Sequence, residues 1–247
     1  MKKHFYLIPL MALLSVITFS ACDHGGGQNG KIIRNAVTDV DGNKYDAVKL
    51  GDQVWMQTNL RTKHYRDGSS IEQGTDNISA HDPLFYQPTT QVFAAYDEKT
   101  HGLYYNWKAV DNEKGLCPEG WHVPSDAEWA QMEEYVSTQS DYVYGDDARH
   151  IGKALASTVG WNEAPSYHEG HVGNNPDANN ATGFSAVPAG KFQDHSWGSF
   201  GATAFFWTAT ANSFNSSWDR WVDYDSPLLL RLSANYNVAM SVRCVKD

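Results

Sequence analysis

The residues best suited to chemistry lie between Trp218 and Asn237 (WDRWVDYDSPLLLRLSANYN). Trp218, Trp221 and Tyr224 interleave with Asp219, Asp223 and Asp225. Leu228 and Leu230 follow a proline, and Asn235 and Asn237 close the segment. Aromatic faces stack on sugar rings or anchor protein hot spots, while carboxylates and amides orient polar ligands. The same tryptophans can equally be core residues, and sequence alone leaves both readings open. Asn175, Asp177 and Asp219 offer the hard oxygens that Ca²⁺ requires, although Asn-Pro-Asp is also an ordinary turn. His168-Glu169-Gly170-His171 lacks the helical H-E-x-x-H spacing of a zinc protease and reads as a pair of solvated loop histidines. No nucleophile elbow, phosphate loop or dinucleotide fingerprint occurs. No catalytic residue is therefore assigned, and calcium is the sole cofactor the residues suggest.

The start of the chain reads as an export signal. Lys2 and Lys3 precede an apolar run from Phe5 to Phe19, and Ser20-Ala21 supply the small residues a signal peptidase needs. The run is too short and wrongly flanked for a spanning helix. Cys22 follows directly, where lipoprotein signals place the cysteine that is acylated; the alternative is an ordinary secretory signal with an incidental thiol. Residues 1–21 are thus expected to be a signal peptide. Residues 22–37 would be a lipidated cysteine and tether, rich in glycine from Asp23 to Gly30, and 38–247 one folded domain. Acyl chains contribute about 0.8 kcal/mol per buried CH₂, so two or three hold a soluble domain to a bilayer. A lipid-anchored protein exposed at the outer membrane is the expectation.

Of the three cysteines, assigning Cys22 to lipid leaves Cys117 and Cys244. In an oxidising compartment they can form one disulfide; the alternative is two buried thiols. Removing the leader takes away two lysines and no acid, moving the net charge from −10 to −12. An acidic surface argues against nucleic acid as a partner. Aromatics make up 13% of the chain, more than a core of this size needs, which again points to a binding surface.

These residues need elements to hold them. Asp41-Gly42 is a hairpin signal between Thr38–Val40 and Lys44–Leu50, and Gly51-Asp52 turns the chain into Gln53–Asn59. Residues 61–103 and 162–183 read as surface loops. Ser125 and Glu128 form a capping box ahead of a helix that buries Trp129, Met132 and Val136. A second helix is expected over 147–157, with Ala148, Ile151 and Leu155 on one face. Strands follow at Phe205–Thr210, Trp218–Tyr224, Leu228–Leu232 and Val238–Val245, the last with Val238, Met240, Val242 and Cys244 facing the core. Strands, two helices, long loops and strands again make an α+β domain of mixed and antiparallel sheets.

Several segments resemble one family, the Fibrobacter succinogenes major paralogous domain. They are Asp41–Tyr45, VKLGDQVWMQTNLR from Val48 to Arg61, YYNWKAV from Tyr104 to Val110, and CPEGWHVPSDAEW from Cys117 to Trp129. GFSAVPAGKF from Gly183 to Phe192, FWTAT from Phe206 to Thr210 and SVRCVKD at Ser241–Asp247 complete the set, in the family's order. The resemblance implies a C-type-lectin-like fold related to formylglycine-generating enzymes, with adjacent terminal strands, two flanking helices and long loops on one face. It also implies exported bacterial surface proteins without a settled activity. Formylglycine-generating enzymes need a pair of active-site thiols, and here Cys117 and Cys244 sit where structural cysteines belong. Calcium-dependent lectins use a Glu-Pro-Asn or Gln-Pro-Asp loop with a later Trp-Asn-Asp, which Asn175-Pro176-Asp177 and Trp218-Asp219 match in part. Some proteins of this fold vary just before the C-terminus through diversity-generating retroelements, and Trp218–Asn237 resembles such a variable region.

The leading expectation is a non-enzymatic binding module whose ligand, glycan or protein, meets the C-terminal region. Two alternatives stand beside it: an enzyme of the same fold acting on envelope or dietary polysaccharide, and a structural or adhesin component of a surface assembly.

Overall fold

The computed structural model describes residues 30–74, 92–165, 167–194 and 196–247. The leader, Cys22 and the first part of the expected tether, residues 23–29, lie outside them. Sheet begins earlier than the expected boundary at 38: β1 (Lys31–Thr38) already pairs with β2 (Lys44–Leu50). The hairpin between them is closed by Asp39, whose N–H donates to the Asn43 carbonyl at 3.0 Å and whose carbonyl accepts the Gly42 N–H. Gly42 sits at φ 84°, a left-handed conformation glycine adopts without strain. The buried Asp39 carboxylate accepts from Asn43 and from the Tyr45 hydroxyl, so the turn is tied into the core.

β2 turns into β3 (Gln53–Met56). Next come β4 (Glu72–Gln73), β5 (Val92–Ala94), the short α1 (Glu98–His101), β6 (Tyr104–Tyr105), α2 (Trp107–Val110) and β7 (Trp121–His122). α3 (Asp126–Ser137) is the one helix of substantial length among the described residues. α4 (Gly152–Leu155), β8 (Ala189–Gln193), β9 (Ser196–Phe200), β10 (Thr203–Ser213), β11 (Ser216–Asp223), β12 (Leu229–Asn235) and β13 (Val245–Lys246) complete the chain. One sheet runs β1-β2-β3-β13-β7, a second β12-β11-β10-β8-β9, and a third joins β4, β5 and β6. The architecture is α+β with strands dominant. No helix among the described residues is long and apolar enough to cross a membrane.

α3 starts as its sequence dictates. Ser125 Oγ accepts the Glu128 N–H and the Glu128 carboxylate accepts the Ser125 N–H, satisfying two amides that a helix start leaves free. Trp129, Met132 and Val136 are fully buried. Trp129 packs 4.7 Å from Trp55 and against Phe184 and Phe206, so the helix locks the first sheet to the second.

Three expectations are corrected. The helix expected over 147–157 shrinks to Gly152–Leu155. Asp147 accepts from the Arg149 backbone and guanidinium, and the Tyr144 N–H donates to the His150 carbonyl, so 147–151 is spent on a side-chain-closed loop. Residues 61–103 are more than surface loop: Thr62, Tyr65, Ile71 and Leu103 are buried. The run 238–245 is not one strand with one inward face. It threads the middle of the molecule, bridging Phe192, Tyr105 and Phe206 in turn before β13, so Ala239, Ser241 and Arg243 are buried along with Val238, Met240, Val242 and Cys244.

Arg243 survives in that interior because carbonyls of Met56, Phe184 and Ser185 and the Asn59 side chain accept its hydrogen bonds. Burial lowers its pKa to about 9. Cys117 and Cys244 form a disulfide, Cα atoms 6.0 Å apart, tying the segment before α3 to the last strand.

Candidate functional site

β10 and β11 pair antiparallel and set Phe205 opposite Trp221, their rings meeting edge to face at 4.7 Å. β8 runs parallel to β10 through Ala204 and Gly190, which carries Lys191 over the aromatic pair. The Lys191 ammonium lies 4.5 Å from the Phe205 ring centroid and 5.0 Å from that of Trp221. Such cation–π contacts hold a charge against an aromatic face without neutralising it.

Asp219 stands two residues before Trp221 on the same side of β11 and is fully enclosed. Its Oδ2 accepts the Trp221 indole N–H at 2.8 Å, which fixes the plane of the ring. Its Oδ1 has no hydrogen-bond partner among the described residues. Burial pushes the Asp219 carboxyl up to about 6, against the Trp221 hydrogen bond and the charges of Lys191 and Arg220. Burial also lowers the Lys191 pKa, with Asp219 and Asp194 acting in the opposite sense.

Beside this group opens a cleft of about 380 Å³, walled by Trp221 and edged by Lys191, Gln193, Ser216, Ser233 and Asn235. One aromatic face, one cation and four neutral hydrogen-bonding side chains thus converge on a hollow that is more polar than most small-ligand pockets.

The sequence candidates divide. Trp221 and Asn235 line the cleft, and Asp219 braces it. Trp218 is elsewhere, its ring covered by the Arg231 guanidinium. Asp223 accepts the Thr203 hydroxyl at 2.6 Å, and the Tyr224 backbone bonds Ala202 and Gly173. Asp225 lies 3.1 Å from the His171 ring. The Leu228 N–H bonds Ser226, and Leu230 pairs in register with Trp221. Asn237 falls in the turn after β12, ahead of the buried Val238.

The calcium set is not assembled. The Asn175 carbonyl, with that of Asn174, accepts from the Lys153 ammonium, so a lysine already supplies the positive charge at that loop. Asp177 is exposed, Asp219 is enclosed beside Trp221, and no cluster of three His, Cys, Asp or Glu able to hold a metal occurs among the described residues. The histidines are not simply solvated either. His168 stacks on His171 at 4.7 Å and meets His150 at 5.2 Å; its Nδ1 accepts the Gly170 N–H, while the His150 Nδ1 donates to the Tyr144 carbonyl.

Sequence reasoning missed Lys191, Gln193, Ser216 and Ser233. One signal was available: a lysine between Gly190 and Phe192, in a strand otherwise destined for the interior, marks a charge with a reason to be there.

Fold and cleft together define a disulfide-closed, predominantly β domain with an aromatic-walled polar pocket on its second sheet. The chain belongs to the Fibrobacter succinogenes major domain family, which it matches over residues 48–246. Neither the curated proteins nor the solved structures compared with it give a match.

Proposed function

We propose that this protein is a non-catalytic, glycan-binding module of C-type-lectin-like architecture, carried to the cell envelope on a lipid at Cys22. The observation that carries the reading is the cleft beside Trp221. Its indole is held in one orientation by Asp219, and hydroxyl and amide side chains surround it. A preorganised aromatic wall with neutral hydrogen-bonding groups suits a pyranose, which offers an apolar face and a rim of hydroxyls. A concave pocket of this size favours a small polar ligand over a flat protein epitope. The lectin-like architecture is supported by β13 pairing with β3 and β7, which closes the two ends of the domain into one sheet, and by the single long helix packed on it.

The test is a glycan array probed with the full-length chain in detergent, run with calcium and again with a chelator. Binding that survives the chelator and is weakened roughly tenfold in Trp221→Ala is the expected result; no glycan retained in either buffer overturns the reading. For the anchor, Cys22→Ser is expected to abolish incorporation of labelled palmitate and release the protein from the membrane fraction. Unchanged labelling would remove Cys22 from its role.

A further inference from the structure

We propose that the Lys191–Trp221 cleft selects an acidic saccharide, with the sugar carboxylate on the Lys191 ammonium and a ring face against Trp221. This deepens the glycan-binding reading and rests on it.

Most cations of the domain that lie near its interior are spoken for. Arg220 and Arg231 share the Asp126 carboxylate, Arg243 is held by backbone carbonyls, and Lys153 by the loop carbonyls at 171–175. Lys191 differs. Its ammonium sits over two aromatic rings and forms no ion pair or hydrogen bond with any described residue. The charged groups that act on it are Asp219 and Asp194, neither within ion-pair distance. Asp219 is walled in behind Trp221, so a ligand in the cleft meets the ammonium and not the carboxylate.

The lining argues the same way. The chain carries 29 acidic residues against 19 basic ones, yet none of the described side chains lining this cleft is acidic. An anion repelled by the surface at large finds there a partly buried ammonium with no counter-ion among the described residues, where a charge-assisted hydrogen bond is stronger than in open water. Gln193, Ser216, Ser233 and Asn235 supply donors and acceptors for ring hydroxyls, and Trp221 supplies the stacking face. A carboxylate-bearing pyranose satisfies all three at once; a neutral sugar leaves the ammonium unmatched.

The experiment compares the full-length chain on two matched oligosaccharides, one of uronic acid residues and one of the corresponding neutral hexose, by titration calorimetry. The wild-type protein is expected to prefer the uronate about tenfold or more, as one hydrogen bond to a charged group contributes. Lys191→Met is expected to bring the ratio of uronate to neutral-sugar affinity to about one, and Lys191→Arg to retain the preference. Both variants are checked for an unchanged melting temperature. Equal affinity for the two sugars, or a preference that persists in Lys191→Met, overturns the inference and leaves glycan binding standing. Failure to bind either sugar while another glycan on the array is retained overturns the inference alone; failure to bind any sugar overturns both.

Discussion

The Arg231 guanidinium lies 3.4 Å above the Trp218 ring, while its Nε and Nη2 each bond the Asp126 carboxylate at 2.9 Å. Asp126 also holds Arg220 Nη1 at 2.7 Å, and Arg220 is fully buried. One carboxylate in the first turn of α3, where the helix dipole favours a negative charge, thus holds the arginine that covers Trp218 and neutralises an interior cation. Burial raises the pKa of Asp126, but the hydrogen bonds from Arg231 and Arg220 outweigh it and hold the group below the usual carboxylate range. This contact covers the Trp218 ring and leaves it outside the cleft at Trp221.

The two arginines are not equivalent partners. Asp126→Ala leaves Arg220 as a buried, unpaired charge and is expected to cost about 3–5 kcal/mol. Arg231→Ala loses a half-exposed ion pair and a cation–π contact, about 1 kcal/mol. Urea denaturation of both variants checks this, and similar losses would show that Arg220 finds another counter-charge.

Reduction of Cys117–Cys244 is expected to destabilise the domain by about 4–5 kcal/mol, because the bridge closes 127 residues of the unfolded chain. Calorimetry with and without reductant measures the difference. A shift below about 1 kcal/mol would mean that the unfolded chain is already compact at this junction.

His122 donates from both ring nitrogens, Nε2 to Glu128 at 2.7 Å and Nδ1 to Asp247 at 2.6 Å, an arrangement that requires the imidazolium. Burial alone would lower its pKa, but the two carboxylates raise it above the ordinary 6.5. Its contribution to stability is therefore complete below pH 6.5 and is lost as pH rises through the folded value. Glu128 is the mirror case. Burial raises its pKa, yet the hydrogen bonds from Ser125 and His122 hold it below the ordinary 4.5. That contribution is present above pH 4.5 and lost as pH falls through the folded value. The melting temperature of the wild-type chain is expected to be highest between these limits, and His122→Gln to flatten the alkaline side. An unchanged profile would exclude His122 from the coupling.

Trp129 is fully enclosed among Trp55, Phe184 and Phe206, but its indole nitrogen has no hydrogen-bond partner among the described residues. Trp129→Phe forfeits volume only and is expected to cost less than about 2 kcal/mol, against about 3–5 for Trp129→Ala. A large loss in the phenylalanine variant would reveal a hydrogen bond to an ordered water.

Trp221 and Trp218 separate the cleft from the rest of the aromatic segment. Trp221→Ala is expected to weaken glycan binding roughly tenfold through lost stacking. Trp218→Ala is expected to leave binding within about twofold, the scatter of such measurements. Equal losses would move the ligand across the sheet to the Arg231 side.

Some of this was written locally in the chain and some was not. The hairpin at Asp41-Gly42, the capping box at Ser125 and Glu128, and the buried stripe of Trp129, Met132 and Val136 depend on residues within a turn or two of each other, so sequence alone determined them. It also supplied both partners of the disulfide and the family. The helix expected over 147–157 failed because Asp147 offers its own carboxylate to the nearby backbone, a competition that periodicity does not register. The cleft belongs wholly to the tertiary structure. Lys191 faces Trp221 because β8 settles parallel to β10, with β11 on the other side; β9, the next strand in the chain, is passed over and lies at the sheet's edge, so no local turn fixes that order. Of the residues between Trp218 and Asn237, alternation assigned each to one side or the other, but only the packed helix and the threaded C-terminal segment determined which side was core and which was cleft. Burial free energy is a sum over such long-range contacts, and no single stretch of the sequence contains it.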